Sequence, residues 1–374
     1  MCVQYYNWVD ALDEEGGHGT HVCGSIVGHK STAGTKEGES TGYADGVAKN
    51  AKVAFFDLGL GQNLFGSPEG ALSTTQCPNE GGCLWTPGNI PLFLDPGYNA
   101  GARLHSASWG DMTGDLVDGY RDSNTYKYMD ASFDEYMHTH DDFLLLVAAG
   151  NDGEFDGPDT PNTVGSPSTS KNCVSVGASN NLGNAASNFG GKDSLAMFSS
   201  RGPSADGRMK PDLVSPGFFI LSAAARNGQT GECDPATPPS NGGPDDSGVT
   251  YMAGTSMATP VTSGAAALVR QYFMEGFYPT GSAVNANKMS SPSGALIKAV
   301  LMNSAQAIST VPTGTGTTVT TVTNVYDNNQ GFGLTSLDKA LKLTGNPIDA
   351  FVVDREELAT GGNYDIRITT NTCR

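Results

Sequence analysis

The chain has 374 residues, with 21 basic against 39 acidic side chains and a formal net charge of -18. At about 150 residues per domain this length holds two domains, or one large α/β domain with an appendage, around a core that needs no metal or disulfide staple. The acidity repels phosphate and so argues against nucleic acid and anionic membranes as main partners, and no apolar run approaches the ~20 residues of a spanning helix.

The opening stretch MCVQYYNWVDALDEEGGHG lacks the basic segment and apolar run of a signal peptide. Beyond it, residues 52–58 (KVAFFDL), 103–109 (RLHSASW), 143–149 (FLLLVAA) and 172–178 (NCVSVGA) are apolar runs bounded by breakers, the pattern of buried strands. Apolar and aromatic residues near helical spacing predict a helix over 126–140, and small or aliphatic stretches predict two more over 255–275 and 293–306. Strands alternating with helices imply an α/β fold with a mostly parallel sheet between helices, and a site on the loops at the carboxyl ends of the strands. Segments 31–41, 59–91 and 226–248 are rich in Gly, Pro, Ser or Asn and are expected as long surface loops. A short helix is expected over 336–343, then strands over 348–354 and 363–370. Two strands make a poor unit alone, so they are read as the start of a β-rich domain that continues past Arg374. The expected division is a first domain over 1–345 and the stump of a second over 346–374.

Three motifs carry chemistry. Gly16-Gly17-His18-Gly19-Thr20-His21 sets a histidine in a glycine-rich turn entering the apolar segment 22–27. A neutral imidazole held at a helix start, near its ordinary pKa of ~6.5, suits a general base. A capping histidine, or a metal ligand paired with His21, are the alternatives, the latter with no third ligand nearby. Gly254-Thr255-Ser256-Met257-Ala258-Thr259-Pro260 places a hydroxyl where a small-residue helix opens. Unpaired N–H groups and the positive end of the dipole there can stabilise a carbonyl under attack, although an ordinary cap is the commoner use of such a serine. Pro260 is expected in the first turn, where its missing N–H has no partner to lose. Val147-Ala148-Ala149-Gly150-Asn151-Asp152-Gly153 puts a carboxamide just past a buried strand, able to aim an N–H at an oxyanion, though alone Asn-Asp-Gly reads as a turn.

HGTHVCGSIVG, SASWG, AAGNDG, FSSRGP and GTSMATP follow one another in this order, and with them the chain resembles the subtilisin-like serine peptidases. The likeness is greatest to the branch of large alkaline proteases with a carboxyl-terminal β-barrel. It runs from about Gly16 to Ala340, with 197–216 (MFSSRGPSADGRMKPDLVSP) among its most specific stretches. The resemblance implies a three-layer fold and a serine endopeptidase acting on protein or peptide substrates. It implies His18 as general base, Ser256 as nucleophile and Asn151 as the side-chain donor of the oxyanion hole. Ser108, Trp109 and Gly110 would pair with the substrate backbone as an added strand. Ala149 and Gly150 would wall the pocket for the side chain before the cleaved bond, a pocket expected to accept apolar or varied side chains.

One part of the family pattern has no match. Its third triad member is an aspartate in an Asp-Ser/Thr-Gly turn on the first strand, some tens of residues before the histidine. Only 17 residues precede His18; Asp10 is followed by Ala11 and Asp13 by Glu14, so both are read as surface-loop acids. In subtilisin itself, loss of this aspartate costs ~3 × 10⁴ in kcat. The chain is therefore read as an incomplete form of an active protease, and the alternative is an impaired fragment or pseudoprotease that binds peptides. Seven cysteines leave at least one unpaired. Cys77 and Cys83 flank a polar loop where either a disulfide or two free thiols fit, and Cys23 and Cys173 sit in apolar segments. A disulfide there goes with a secreted or lumenal full-length protein. No cofactor is required. The resemblance admits structural calcium, for which acids of the loop 152–159 could supply oxygens, although solvated acidic turns explain them as well. Nothing in the sequence sets the oligomeric state.

Overall fold

Two runs, LLLVA and VSVGAS, are buried at every position and set the centre of the molecule. The structure is a computed structural model that describes residues 2–8, 17–29, 44–60, 83–84, 86–114, 116–117, 120–154, 156–157, 159–181, 191, 193–225, 248–313, 318–321, 326–346 and 348–367. Its main elements in chain order are β1 (Cys2–Asn7), α1 (His18–Val27), β2 (Val53–Asp57), α2 (Ile90–Asn99), β3 (Leu104–Ala107), α3 (Tyr128–Thr139), β4 (Leu144–Ala148), β5 (Val174–Ser179) and β6 (Leu213–Pro216), followed by β7 (Ile220–Ala223), β8 (Val249–Met252), α4 (Thr255–Met274), α5 (Gly294–Ser304), β9 (Thr310–Thr313) and β10 (Thr318–Thr321).

The central sheet is parallel and four-stranded, in the order β6–β5–β4–β3, while β1 and β2 form a separate parallel pair. Strand period sends alternate side chains of β4 to opposite faces. Leu144 and Leu146 join a core cluster with Val174, Val176, Ala258, Ala266, Val269, Ile297 and Leu301, under α4 and α5. Leu145 and Val147 join Phe93, Leu94, Phe133 and Tyr136, under α2 and α3. Helices on both faces of a parallel sheet make the expected three-layer α/β fold.

The four strands expected over 52–178 and the three helices expected over 126–140, 255–275 and 293–306 form, within a residue or two at most ends. Sequence reasoning missed α2, because Pro91 and Pro96 break its pattern; Pro91 is tolerated in the first turn and Pro96 lies inside the helix. It missed β1 as well. Most of the expected loops 31–41, 59–91 and 226–248, together with Cys77 and hence the Cys77–Cys83 pair, lies outside the described residues. Cys2 and Cys173 are free thiols. Two expectations near the end are corrected. The helix over 336–343 is a single 3-10 turn at Leu337–Lys339. No strand forms over 348–367: that segment meets no sheet edge, and Phe351, Leu358, Tyr364 and Ile366 are exposed on it.

Behind β5 and β6 sits a buried charge pair. Asp212 Oδ2 accepts from the Ser175 amide at 2.8 Å and from Lys210 Nζ at 3.1 Å, with Lys298 Nζ 3.6 Å from the other oxygen. Burial works against the Lys210 charge, yet Asp212 carries its pKa above the ordinary value; burial likewise opposes ionised Asp212, and Lys210 and Lys298 hold it low. Removing one partner strands a charge in the core. Lys210→Met is expected to cost about 3 kcal/mol in urea unfolding, at the lower end of the usual range because Lys298 remains.

Candidate active site

The site forms where β3, β4 and α4 meet. Ala107 lies opposite Val147, and Ala148 opposite Val176, so the segments leaving β3 and β4 emerge at one end of the sheet. α4 begins at the same place, entered through Gly254 at φ 153°, a conformation that favours glycine. The first-turn amides of a helix have no acceptor four residues earlier. Two of them find other partners: Met257 N donates to Gly254 O at 3.0 Å, and Thr255 N donates to Asn151 Oδ1 at 2.8 Å, with Thr255 Oγ1 donating to the same oxygen at 3.0 Å. The Asn151 oxygen is thereby occupied, which turns its Nδ2 toward the turn at Gly254, whose Cβ position lies 3.4 Å away. The Gly150 amide donates to Thr255 Oγ1 at 3.2 Å, completing the tie between the end of β4 and the start of α4.

Ser256 is tied to the strand on the other side. Its Oγ donates to Ser108 O at 3.1 Å, and Ser108 Oγ donates to Ser256 O at 2.9 Å. The second bond has a cause in the sequence. Pro260 is the sixth residue of α4, not part of its first turn as expected, and it has no N–H for the carbonyl four residues earlier. That carbonyl belongs to Ser256, and the Ser108 hydroxyl fills the gap. Of the other expected residues, Trp109 packs on Phe93 and Phe133 at ring-centroid distances of 6.1 and 6.4 Å. Gly110 is exposed, with Ser166 O 3.0 Å from where a Cβ would stand. Ala149 is buried and bonded through its amide to Val176 O at 2.9 Å. Gly150 holds φ 114°, and a Cβ there would lie 2.6 Å from Ser200 Oγ.

His18 is the first residue of α1. The Gly17 before it is left-handed, at φ 75°, and a Cβ on Gly17 would meet Ala225 Cβ at 2.6 Å. One turn on, His21 is buried, with Nε2 3.0 Å from Ile220 O and 3.2 Å from Thr250 O, and its own carbonyl accepts from Ser222 Oγ at 2.8 Å. These bonds pin α1 to the β7–β8 hairpin and give His21 a structural use. Burial lowers the His21 pKa, the two carbonyls raise it, and the neighbouring His18 lowers it further, for a net decrease. No group of three metal-ligating side chains converges among the described residues. In the loop 152–159, Asp152 Oδ2 accepts from the Thr113 amide at 2.8 Å, Asp156 pairs with Arg121 and Asp159 with Arg201. Asp10 and Asp13 lie outside the described residues.

His18, Ser108 and Trp109 line one cavity of about 1060 Å³, which extends between β2 and β3. Sequence reasoning missed two of its residues. Asp57, a buried carboxylate ending β2, accepts from the Tyr5 hydroxyl; an acid closing the apolar run KVAFFD was its only signal. His105 sits deep beside the cavity, its ring against Phe93, and burial pulls its pKa down to about 4.

Two predictions follow from these contacts. Ser108→Ala leaves the Ser256 carbonyl without a donor and is expected to cost about 1 to 2 kcal/mol in urea unfolding; in the Pro260→Ala background, where a helical N–H returns, the cost is expected to fall by about half. His105 stays neutral in the fold, while the unfolded chain binds a proton below about pH 6.5. Its stabilisation is intact above that pH and is lost as pH falls toward 4, by about 2.5 kcal/mol at pH 4.5. The loss of unfolding free energy from about pH 7.5 to pH 4.5, read by urea titration, is expected to be smaller in His105→Gln by that amount.

A family model described as "Subtilase family" matches residues 4–333. The serine protease/ABC transporter B family protein tagD of Dictyostelium discoideum is 30% identical over 368 residues, covering 80% of this chain and 18% of that protein. Serine protease AprX of Bacillus subtilis is 40% identical over 130 residues, 34% of this chain and 26% of its own length. The chain thus spans about a fifth to a quarter of these relatives. Among solved structures, the CspB protease of Clostridium perfringens superposes with a TM-score of 0.53 at 18% identity, covering 87% of this chain and 80% of that one. Sphericase superposes with a TM-score of 0.51 at 19% identity, covering 89% and 85%.

Proposed function

The chain belongs to the subtilase family of serine proteases, and from that premise we propose that it cleaves peptide bonds through an acyl-enzyme on Ser256. The observation that carries this reading is the network joining Ser256, Ser108, Thr255 and Asn151 at the start of α4. Ser256 Oγ attacks the scissile carbonyl. His18 takes its proton as general base and returns it to the leaving amine as general acid. Negative charge on the carbonyl oxygen is met by the Ser256 amide and by Asn151 Nδ2, whose carboxamide is already oriented by Thr255. The donor therefore needs no reorganisation as charge develops. Ser108, Trp109 and Gly110 align the substrate backbone, and Ala149 and Gly150 leave room for the side chain before the cleaved bond.

An orienting carboxylate for His18 completes the scheme. No Asp-Ser/Thr-Gly turn occurs in the 17 residues before it. A protein or peptide substrate and a secreted or lumenal full-length form go with this reading. No helix among the described residues is long and apolar enough to cross a membrane.

The test is covalent labelling of the 374-residue chain with a fluorophosphonate. Slow labelling is expected, abolished in Ser256→Ala and reduced at least about a hundredfold in His18→Ala. Asn151→Leu is expected to lower the turnover of an activated ester by roughly 10²–10³, the range known for this donor in subtilisin. Labelling of Ser256→Ala at the wild-type rate would refute the assignment.

A further inference from the structure

We propose that Phe219 sets substrate preference on the leaving-group side of the site, where it forms, with Phe218 and Phe198, a shelf for a flat apolar side chain directly after the cleaved bond. The proposal rests on the peptidase reading and deepens it. On that reading the substrate residues before the bond lie along 108–110, which leave β3, and the reacting carbonyl lies at Ser256. The sheet runs in the order β6–β5–β4–β3 with all carboxyl ends together, so the residues after the bond cross the ends of β5 and β6. The three phenylalanines stand at those ends.

Backbone contacts tie the shelf to both arms of the site. The Gly254 amide, two residues before Ser256, donates to Gly217 O at 2.9 Å, and a Cβ on Gly217 would stand 2.6 Å from Gly254 O and 3.2 Å from Ala258 Cβ. On the other arm the Gly153 amide, two residues after Asn151, donates to Phe198 O at 2.9 Å, and the Ser200 amide donates to Gly150 O at 3.0 Å. The β7–β8 hairpin gives a third fix. Ile220 lies opposite Met252, so Phe219 is one step beyond the last pair, level with Ala253 and three residues short of Ser256.

The Phe219 ring is held in place against the preference of its own backbone. Phe219 has φ 52°, in the left-handed region that a bulky side chain avoids, and it is 51% exposed. Asn181, two residues past β5, donates from Nδ2 to Phe218 O at 2.5 Å and to Phe219 O at 2.8 Å and so fixes the turn. Phe218 and Phe219 meet edge to face at 4.6 Å, and Phe198 backs Phe218 at 5.9 Å. The three side chains carry no charge and no hydrogen-bonding atom. A phenyl or large aliphatic side chain gains ring contact on them, whereas a polar one gives up water with nothing in return.

The experiment offers the 374-residue chain an activated ester, N-acetylphenylalanine p-nitrophenyl ester, with phenylalaninamide and serinamide at equal concentration as acceptors. The acyl-enzyme transfers to the amine lodged on the leaving-group side, and chromatography reads the ratio of the two dipeptide products after subtraction of the Ser256→Ala reaction. That ratio does not depend on the absolute rate. Transfer to phenylalaninamide is expected to exceed transfer to serinamide at least about fivefold. Phe219→Gly removes the ring and suits the left-handed backbone, so it is expected to fold and to lower the ratio at least about threefold. Ester turnover that depends on Ser256 but shows no such preference, or a preference that Phe219→Gly leaves intact, would overturn the shelf alone. Absence of turnover that depends on Ser256 would overturn the peptidase reading and the shelf with it.

Discussion

Pro260 has no amide hydrogen, so the Ser256 carbonyl loses its helical donor and takes the Ser108 hydroxyl instead. The Ser256 hydroxyl answers by donating to the Ser108 carbonyl. A reciprocal pair of bonds therefore clamps the first turn of α4 to the segment leaving β3, with Thr255 and Asn151 making the matching clamp to the segment leaving β4. Parallel strands deliver both segments to the same end of the sheet, and a helix with a proline in its second turn has the spare acceptor that receives one of them. The small residues that follow, Ala258, Ala265 and Ala266, let α4 lie close on the sheet, while Gly264 on the same helix admits Val47.

The histidine side of the site is built by a different means. Gly17 adopts a left-handed turn pressed against Ala225, and His21 reaches two carbonyls of the β7–β8 hairpin. The start of α1 is thus held by backbone fit and by a buried ring, not by a cap side chain. Two histidines a turn apart in sequence have opposite surroundings: His21 is sealed in the interior, and His18 faces a cavity.

Much of this was legible in the sequence, for definite reasons. Strands such as LLLVA and VSVGAS carry no competing signal, so tertiary packing had nothing to override, and the order of the motifs pointed to the family that the model match later showed. The places of Asn151 and Ser256 in the fold, just past a strand and at a helix start, were readable because each sits near a strong element boundary. The rest required three dimensions. The role of Thr255 depends on a contact across more than a hundred residues, and that of Pro260 on counting back four residues in a helix whose start was not fixed beforehand. α2 was hidden because its two prolines are compatible with a helix only in a particular register. The terminal strands failed because an apolar, β-prone run becomes a strand only beside an edge that accepts it, and 348–367 has none.

The separation of β1–β2 from the central sheet also bears on how the molecule comes apart. No backbone ladder crosses between them among the described residues, and side-chain packing of β2 on α2, Phe56 against Phe93, joins one to the other. Packing without a shared ladder is the weaker coupling, and the pair with its flanking helices forms a subglobal unit that opens below the free energy of global melting. A heat-capacity trace of this chain is then broader than that of a molecule with one continuous sheet, because two cooperative blocks, and not one, absorb the heat.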